Sequence, residues 1–281
     1  MNDRPGKPVE SLTVSDEELQ SLTQAIFQRH GIDFTCYERL SLKRRVIRVL
    51  GVFNVDSIHA LWRLILRDRT FIYTFMDEVS VGLTAMFRDP VLWRKMQYLL
   101  NNDLVKKSEL AIWHAGCSSG EEIYTFGIVL RESVFANNVT AWATDISKQA
   151  IEQAQRGGYH ALKFPEYEQN YKEFNPFGSL KRYSTSGKGT FQMHSDLIRH
   201  VSFEYHNLIT DPFPVNLDII FCRNVMIYFD SGAKLKLLKK FYDSLKPGGL
   251  LIIGFYDAVM PLIDPHQFDV LDIEAKIFVR L

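Results

Sequence analysis

The residues best suited to chemistry stand where apolar runs end. Leu110-Ala111-Ile112-Trp113 leads into Gly116-Cys117-Ser118-Ser119-Gly120-Glu121-Glu122, and Val139–Thr144 ends at Asp145. Val201–Tyr205 runs into His206-Asn207-Leu208, and Leu217–Cys222 into Arg223-Asn224. Glycines in a turn between a strand and a helix let the backbone approach a ligand, and the following helix start offers free N–H groups. The spacing is not that of the usual dinucleotide loop, and a glycine-bearing turn also occurs for packing alone. A carboxylate ending a second strand, as Asp145 does, can accept hydrogen bonds from both hydroxyls of a ribose. It can also cap the helix that starts near Ser147, and the two roles can coexist. In an open parallel sheet all such strand ends share one edge, where ligands bind at the switch in strand order. Four polar ends on one edge point to a nucleotide-like or nucleoside-like ligand.

The elements that must hold these ends follow from periodicity. From Glu109 onward strands alternate with helices, which predicts an α/β fold with a largely parallel sheet. The last two β-like runs, 267–271 and 276–280, suit an antiparallel end to that sheet. Residues of about 160–200 lose clear helical periodicity and read as an inserted antiparallel appendage. A hairpin is expected around Ser186-Gly187-Lys188-Gly189, and Tyr167, Tyr171, Phe174 and Phe177 are candidate core aromatics. Before the alternation, four amphipathic patterns predict an all-α unit over residues 13–79. It opens with a capping box of Ser15 and Glu18. Residues 1–12 read as a flexible tail, and 80–89 as a connector carrying Thr84 and Arg88, which either lines a cleft or simply links. Asp89-Pro90 marks a helix start, with Asp89 as cap. The outline is therefore a helical unit, a connector, and an α/β domain over 90–281.

Composition excludes several classes. The 281 residues carry 33 Lys and Arg against 33 Asp and Glu, so no net field favours nucleic acid or an anionic membrane. The three cysteines, Cys36, Cys117 and Cys222, are far apart and suggest neither a disulfide framework nor a metal site. No apolar run reaches spanning length and the first residues are no secretory signal, so a cytoplasmic protein is expected. Against this neutral background Lys43, Arg44, Arg45 and Arg48 cluster on the second helix. They form either a solvated face or a docking surface for an acidic partner.

Five strings closely resemble the CheR family, the chemotaxis-receptor glutamate O-methyltransferases that use S-adenosylmethionine. They are Leu83–Arg88, Gly116–Glu122, Ala143–Ile146, Phe221–Asp230 and Leu245-Lys246-Pro247-Gly248-Gly249, with Cys222-Arg223-Asn224-Val225-Met226-Ile227-Tyr228-Phe229 the most specific. The resemblance extends over nearly the whole chain, including Gly31–Phe34 and Ser41–Arg45. It implies a Rossmann-like S-adenosylmethionine-dependent methyltransferase domain with a small antiparallel β insertion, preceded by an all-α domain. It implies cofactor contacts from Thr84, Arg88, Gly116, Glu121, Asp145, Asn207, Leu208, Arg223 and Asn224, with Arg88 and Tyr228 nearest the transferred methyl. S-adenosylhomocysteine would be the product. The implied partner is the cytoplasmic domain of a methyl-accepting chemotaxis-type receptor, docked on the helical domain and the β insertion. A monomer is expected, with no metal, nucleic acid or membrane insertion. On residue chemistry alone Tyr228 reads as a buried core aromatic, and Glu121 as a favourable charge at a helix start.

Two departures stand out. Gly82 replaces the family's usual Asn, and Gly254-Phe255-Tyr256-Asp257 replaces Gly-His-Ser-Glu. They leave open a non-catalytic module that keeps only cofactor or partner binding, or a methyltransferase acting on another carboxylate.

Overall fold

The computed structural model describes residues 13–68, 70–79 and 84–281. The expected tail 1–12 and the Gly82 departure lie outside the described residues.

Four helices form the N-terminal unit: α1 (Asp16–His30), α2 (Arg39–Val52), α3 (Ile58–Arg67) and α4 (Phe71–Val79). The Ser15–Glu18 capping box is formed, with Glu18 N–H donating to Ser15 Oγ at 3.1 Å and Ser15 N–H to Glu18 Oε2 at 2.7 Å. Burying Leu22, Val49, Leu61, Ile65 and Phe75 gives these helices a core of their own. Short helices are marginal alone, and that shared apolar face stabilises them.

Next come α5 (Pro90–Asn102), β1 (Glu109–Ala115), α6 (Glu121–Arg131), β2 (Asn138–Asp145) and α7 (Lys148–Arg156). An insertion follows: β3 (Gly158–His160), α8 (Phe164–Phe174), β4 (Ser184–Ser186) and β5 (Thr190–Met193). The chain returns to the main sheet with β6 (Val201–Tyr205), β7 (Leu217–Cys222), α9 (Ser231–Ser244), β8 (Leu245–Ile253), β9 (Phe268–Asp272) and β10 (Ile277–Arg280). The seven-stranded sheet runs β6-β2-β1-β7-β8-β10-β9, parallel except where β10 pairs antiparallel with β8 and β9. After β1 the chain builds outward through β2 and β6, then crosses to the other side of β1 to lay down β7. The switch point is therefore between β1 and β7, and every residue of β7 is buried. This is the α/β arrangement with a largely parallel sheet and an antiparallel end expected from the sequence.

The insertion carries a three-stranded antiparallel sheet, β3-β5-β4, whose β4–β5 hairpin turns at Gly187–Gly189. It differs from expectation in α8. Pro165 stands in its first turn, and Tyr167, Tyr171 and Phe174 are buried at helical spacing. The polar residues between those aromatics hide the period. Phe177 is no core residue, being 95% exposed. Asp89 occupies the cap position of α5 but makes no side-chain cap; its backbone is left-handed at φ 58° and its carboxylate points elsewhere.

Gly116 is needed for packing. Its φ is +79°, and a Cβ there would lie 2.4 Å from Val225 Cγ2. Gly116→Ala is therefore expected to combine backbone strain of about 1 kcal/mol with overpacking of about 1–3 kcal/mol, read as a lowered urea midpoint. An unchanged midpoint would show that the β1 and β7 loops can separate without cost.

Candidate active site

A cavity of about 600 Å³ opens over the C-terminal ends of β1, β2 and β7. That volume suits a small-molecule ligand. Gly116 and Asp145 line it from the first two strands, Asn207 and Leu208 from beyond β6, and Arg223, Asn224 and Tyr228 from beyond β7. Thr84 and Arg88 reach it from the connector. The sheet edge thus brings together residues spread over most of the chain.

Asp145 shows how strand ends become binding groups. One carboxylate oxygen accepts from Ser118 N–H at 2.8 Å and the other from Ser147 N–H at 2.9 Å. Burial raises its pKa, and these N–H groups partly offset the rise. Each oxygen keeps a further lone pair for a ligand. Ser147 caps α7 through Ala150 N–H at 3.0 Å, so the helix cap falls to the serine rather than to Asp145. Ser147 Oγ also donates to Asp77 of α4 at 2.5 Å, tying the helical unit to this corner.

Arg223 is held by protein through both of its terminal nitrogens. Its guanidinium donates to Glu122 Oε2 at 3.0 Å, to Asp89 Oδ2 at 2.6 Å and to the Arg88 carbonyl at 3.2 Å. Glu122 in turn meets His114 Nδ1 at 3.0 Å. Burial pushes the Glu122 carboxyl up, but His114 and Arg223 outweigh it and hold the pKa below the ordinary value. Arg223 therefore positions Arg88 as well as lining the cavity.

Of the two adjacent glutamates, Glu122 is the one that faces the cavity. Glu121, the expected contact, is wholly buried behind it, accepting from Tyr167 Oη at 2.8 Å, Ser119 Oγ at 2.7 Å and Lys163 Nζ at 3.2 Å. Neighbours on a helix diverge by about 100°, so one of the pair faces the ligand side, and the sequence does not reveal which. Burial pushes the Cys117 thiol well above the usual range, which keeps it in the protonated form at neutral pH.

The helical unit supplies the opposite wall. The Arg45 guanidinium lies 4.1 Å from the Tyr228 ring centroid, and Arg45 Nη1 donates to the Val79 carbonyl at 2.6 Å. Tyr37 packs edge-on against Phe229 at 5.1 Å, and Glu38 N–H donates to the Tyr228 carbonyl at 2.8 Å. Tyr228 is half-buried at this joint rather than a core residue. The expectation of one basic face on α2 needs correction. Arg45 turns into the cavity, and Lys43 turns the other way to pair with Asp16 at 2.9 Å. Arg44 and Arg48 remain exposed, one helical turn apart, with Arg48 also reaching Glu78.

Asp257 was not recognisable as a site residue from the sequence. Wholly buried, it accepts from Gly254 N–H at 2.6 Å, Asn224 N–H at 2.8 Å and Ile227 N–H at 3.1 Å. It therefore fixes the loop that carries Asn224 and Tyr228. Gly254 must be glycine for the same closeness, since a Cβ would come within 2.4 Å of Asn224 N.

Residues 82–277 match the CheR methyltransferase, SAM binding domain, and residues 17–80 the CheR methyltransferase, all-alpha domain. Cher3 of Pseudomonas putida is 30% identical, over 90% of this chain and 96% of its own. The chemotaxis protein methyltransferase of Listeria innocua is 28% identical over 85% of this chain and 88% of its own. That of Escherichia coli is 29% identical over 87% and 85%. The chain belongs to the CheR family of S-adenosylmethionine-dependent methyltransferases.

The cavity fits that cofactor. Among the described residues the buried Asn224 side-chain nitrogen meets no partner, leaving a donor for a ligand acceptor. Glu122 and Asp145 supply acceptors for a ligand bearing an ammonium group and a ribose diol. Among the described residues no cluster of His, Cys, Asp or Glu could hold a metal, and no helix is long and apolar enough to cross a membrane.

Asp257 gives the site a pH signature. Burial pushes its carboxyl up to about 6 despite the three N–H donors. A carboxyl that binds its proton more tightly when folded contributes stability below the unfolded pKa, and loses it as pH rises through about 6. The unfolding free energy of the wild type minus that of Asp257→Asn is expected to fall by on the order of 2 kcal/mol between pH 4 and 7. Urea titrations across that range measure it, and a flat difference would contradict the assignment.

Proposed function

We propose that this enzyme methylates glutamate side chains on the cytoplasmic domain of a chemotaxis-type receptor. The observation that carries the reading is the meeting of Arg88 and Tyr228 at one cavity, between the cofactor-type sheet edge and the helical unit. S-adenosylmethionine supplies an electrophilic methyl on a sulfonium.

A glutamate side chain has an ordinary pKa of about 4.3 and is ionised at neutral pH, so no general base is required. Alignment and water exclusion are what the protein must provide. Holding reactants in line is worth up to ~7–11 kcal/mol of barrier. Arg88 suits the acceptor carboxylate, since its planar fork recognises such a group bidentately. Its backbone is fixed from behind by Arg223 at 3.2 Å, which limits its drift. Tyr228 walls the same space, its ring backed by Arg45 at 4.1 Å, and the two cations make the entrance favourable to an anion. The cofactor roles of Thr84, Gly116, Asp145, Asn207, Leu208 and Asn224 belong to the same proposal, with Glu122 taking the place first given to Glu121. Arg44 and Arg48 are the exposed candidates for receptor docking on α2. A cytoplasmic monomer completes the reading.

Labelled methyl transfer to receptor cytoplasmic domains, with glutamates mapped by mass spectrometry, tests it. Arg88→Ala is expected to lower kcat/KM by ~10²–10³, and Arg88→Lys to recover only part, because an ammonium lacks the fork. Absence of labelling on every receptor domain, alongside measurable S-adenosylhomocysteine binding, would leave a binding module instead. Reversing Arg44 and Arg48 together to Glu is expected to raise the receptor KM while S-adenosylhomocysteine affinity holds. Equal loss of both would make that face structural.

A further inference from the structure

The turn after β8 has two opposite faces. Inward, Asp257 is wholly buried and holds three backbone N–H groups. Outward, Phe255 and Tyr256 are 61% and 68% exposed, although nothing about a tight turn requires aromatic rings there. Their rings meet edge to face, with centroids 5.3 Å apart, and Lys276 Nζ stands 5.4 Å from the Phe255 centroid. Tyr256 also lines the cavity, and among the described residues it is the exposed aromatic that does so. The pair is thus continuous with the mouth through which an acceptor enters.

We infer that Phe255 and Tyr256 are specificity-determining residues that grip an apolar side chain next to the methylated glutamate of a protein acceptor. This rests on the glutamate-methylating reading above. Three features favour such a partner over a free carboxylic acid. A small acid that fits the cavity has no group left to reach the outer ring, Phe255. A polypeptide lying across the mouth places neighbouring side chains on both rings while its glutamate reaches inward. Lys276, half-buried beside Phe255, matches an acceptor segment rich in acidic residues. Rigid aromatics give contact area at little entropic cost, and Asp257 fixes the turn beneath them, so the surface is preorganised.

The test uses the full-length enzyme and two acceptor peptides that share one glutamate and differ only in an adjacent Leu or Gln. The wild type is expected to show a lower KM for the Leu peptide by about tenfold, the size of a well-packed apolar contact. In Phe255→Ala/Tyr256→Ala the two KM values should converge, and Phe255→Ala alone, which lies outside the cavity lining, should narrow the gap while S-adenosylhomocysteine affinity stays the same. Both residues are exposed, so folding is expected to survive, and an unchanged melting temperature verifies it. Phe255→Leu, which keeps apolar area, should restore part of the preference. If the wild type methylates both peptides and the double variant keeps the wild-type preference, this inference falls and the glutamate reading stands. Methylation of neither peptide nor any receptor domain overturns both.

Discussion

The Arg223 guanidinium is the constraint on which the rest depends. With its side chain only 4% exposed, it joins Glu122 at the start of α6, Asp89 at the start of α5 and the carbonyl of Arg88. Burying an ion pair gives little net stability, but leaving one member unpaired costs several kcal/mol. That asymmetry makes the arrangement all or none. Once Glu122 is committed at β1, Arg223 must follow at β7, and Asp89 is drawn in. The left-handed backbone at Asp89 fits this account, because a carboxylate used to cap α5 could not also reach Arg223.

A second constraint joins the two parts of the chain. Asp77 bonds the residue that caps α7, Arg45 lies on Tyr228, and the backbones of Cys36 and Glu38 bond Asp230 and Tyr228 at 2.9 and 2.8 Å. These contacts surround the cavity. The helical unit therefore contributes a wall to the reacting space as well as an outer surface.

Much of this was legible in the sequence because it rests on short-range chemistry. The four early helices show their periods and caps. The strand ends carrying Asp145, Asn207 and Arg223-Asn224 are visible as apolar runs stopped by polar residues. What stayed hidden depends on distant partners. Glu121 and Glu122 are indistinguishable until Tyr167 and Lys163 of the insertion claim one and Arg223 the other. Arg45 looks like its basic neighbours until Tyr228, far along the chain, gives it a ring to cover. Asp257 reads as a surface acid in a turn, since no local pattern announces three backbone donors converging on it. Helix α8 was masked by composition, its aromatics spaced correctly among residues that blur the stripe.

The reach of the Arg223 brace has a consequence for how the enzyme comes into being. Its bonds span 101 to 135 positions of sequence, and the Glu38–Tyr228 bond spans more. Contacts so remote form late, because the loop entropy they close must be overcome before they reward the chain. During synthesis the helical unit can pack its own core long before β7 leaves the ribosome. Arg88 stays unset until then. The reacting space therefore waits for β7, and the helical unit can hold its own core before Arg88 is set.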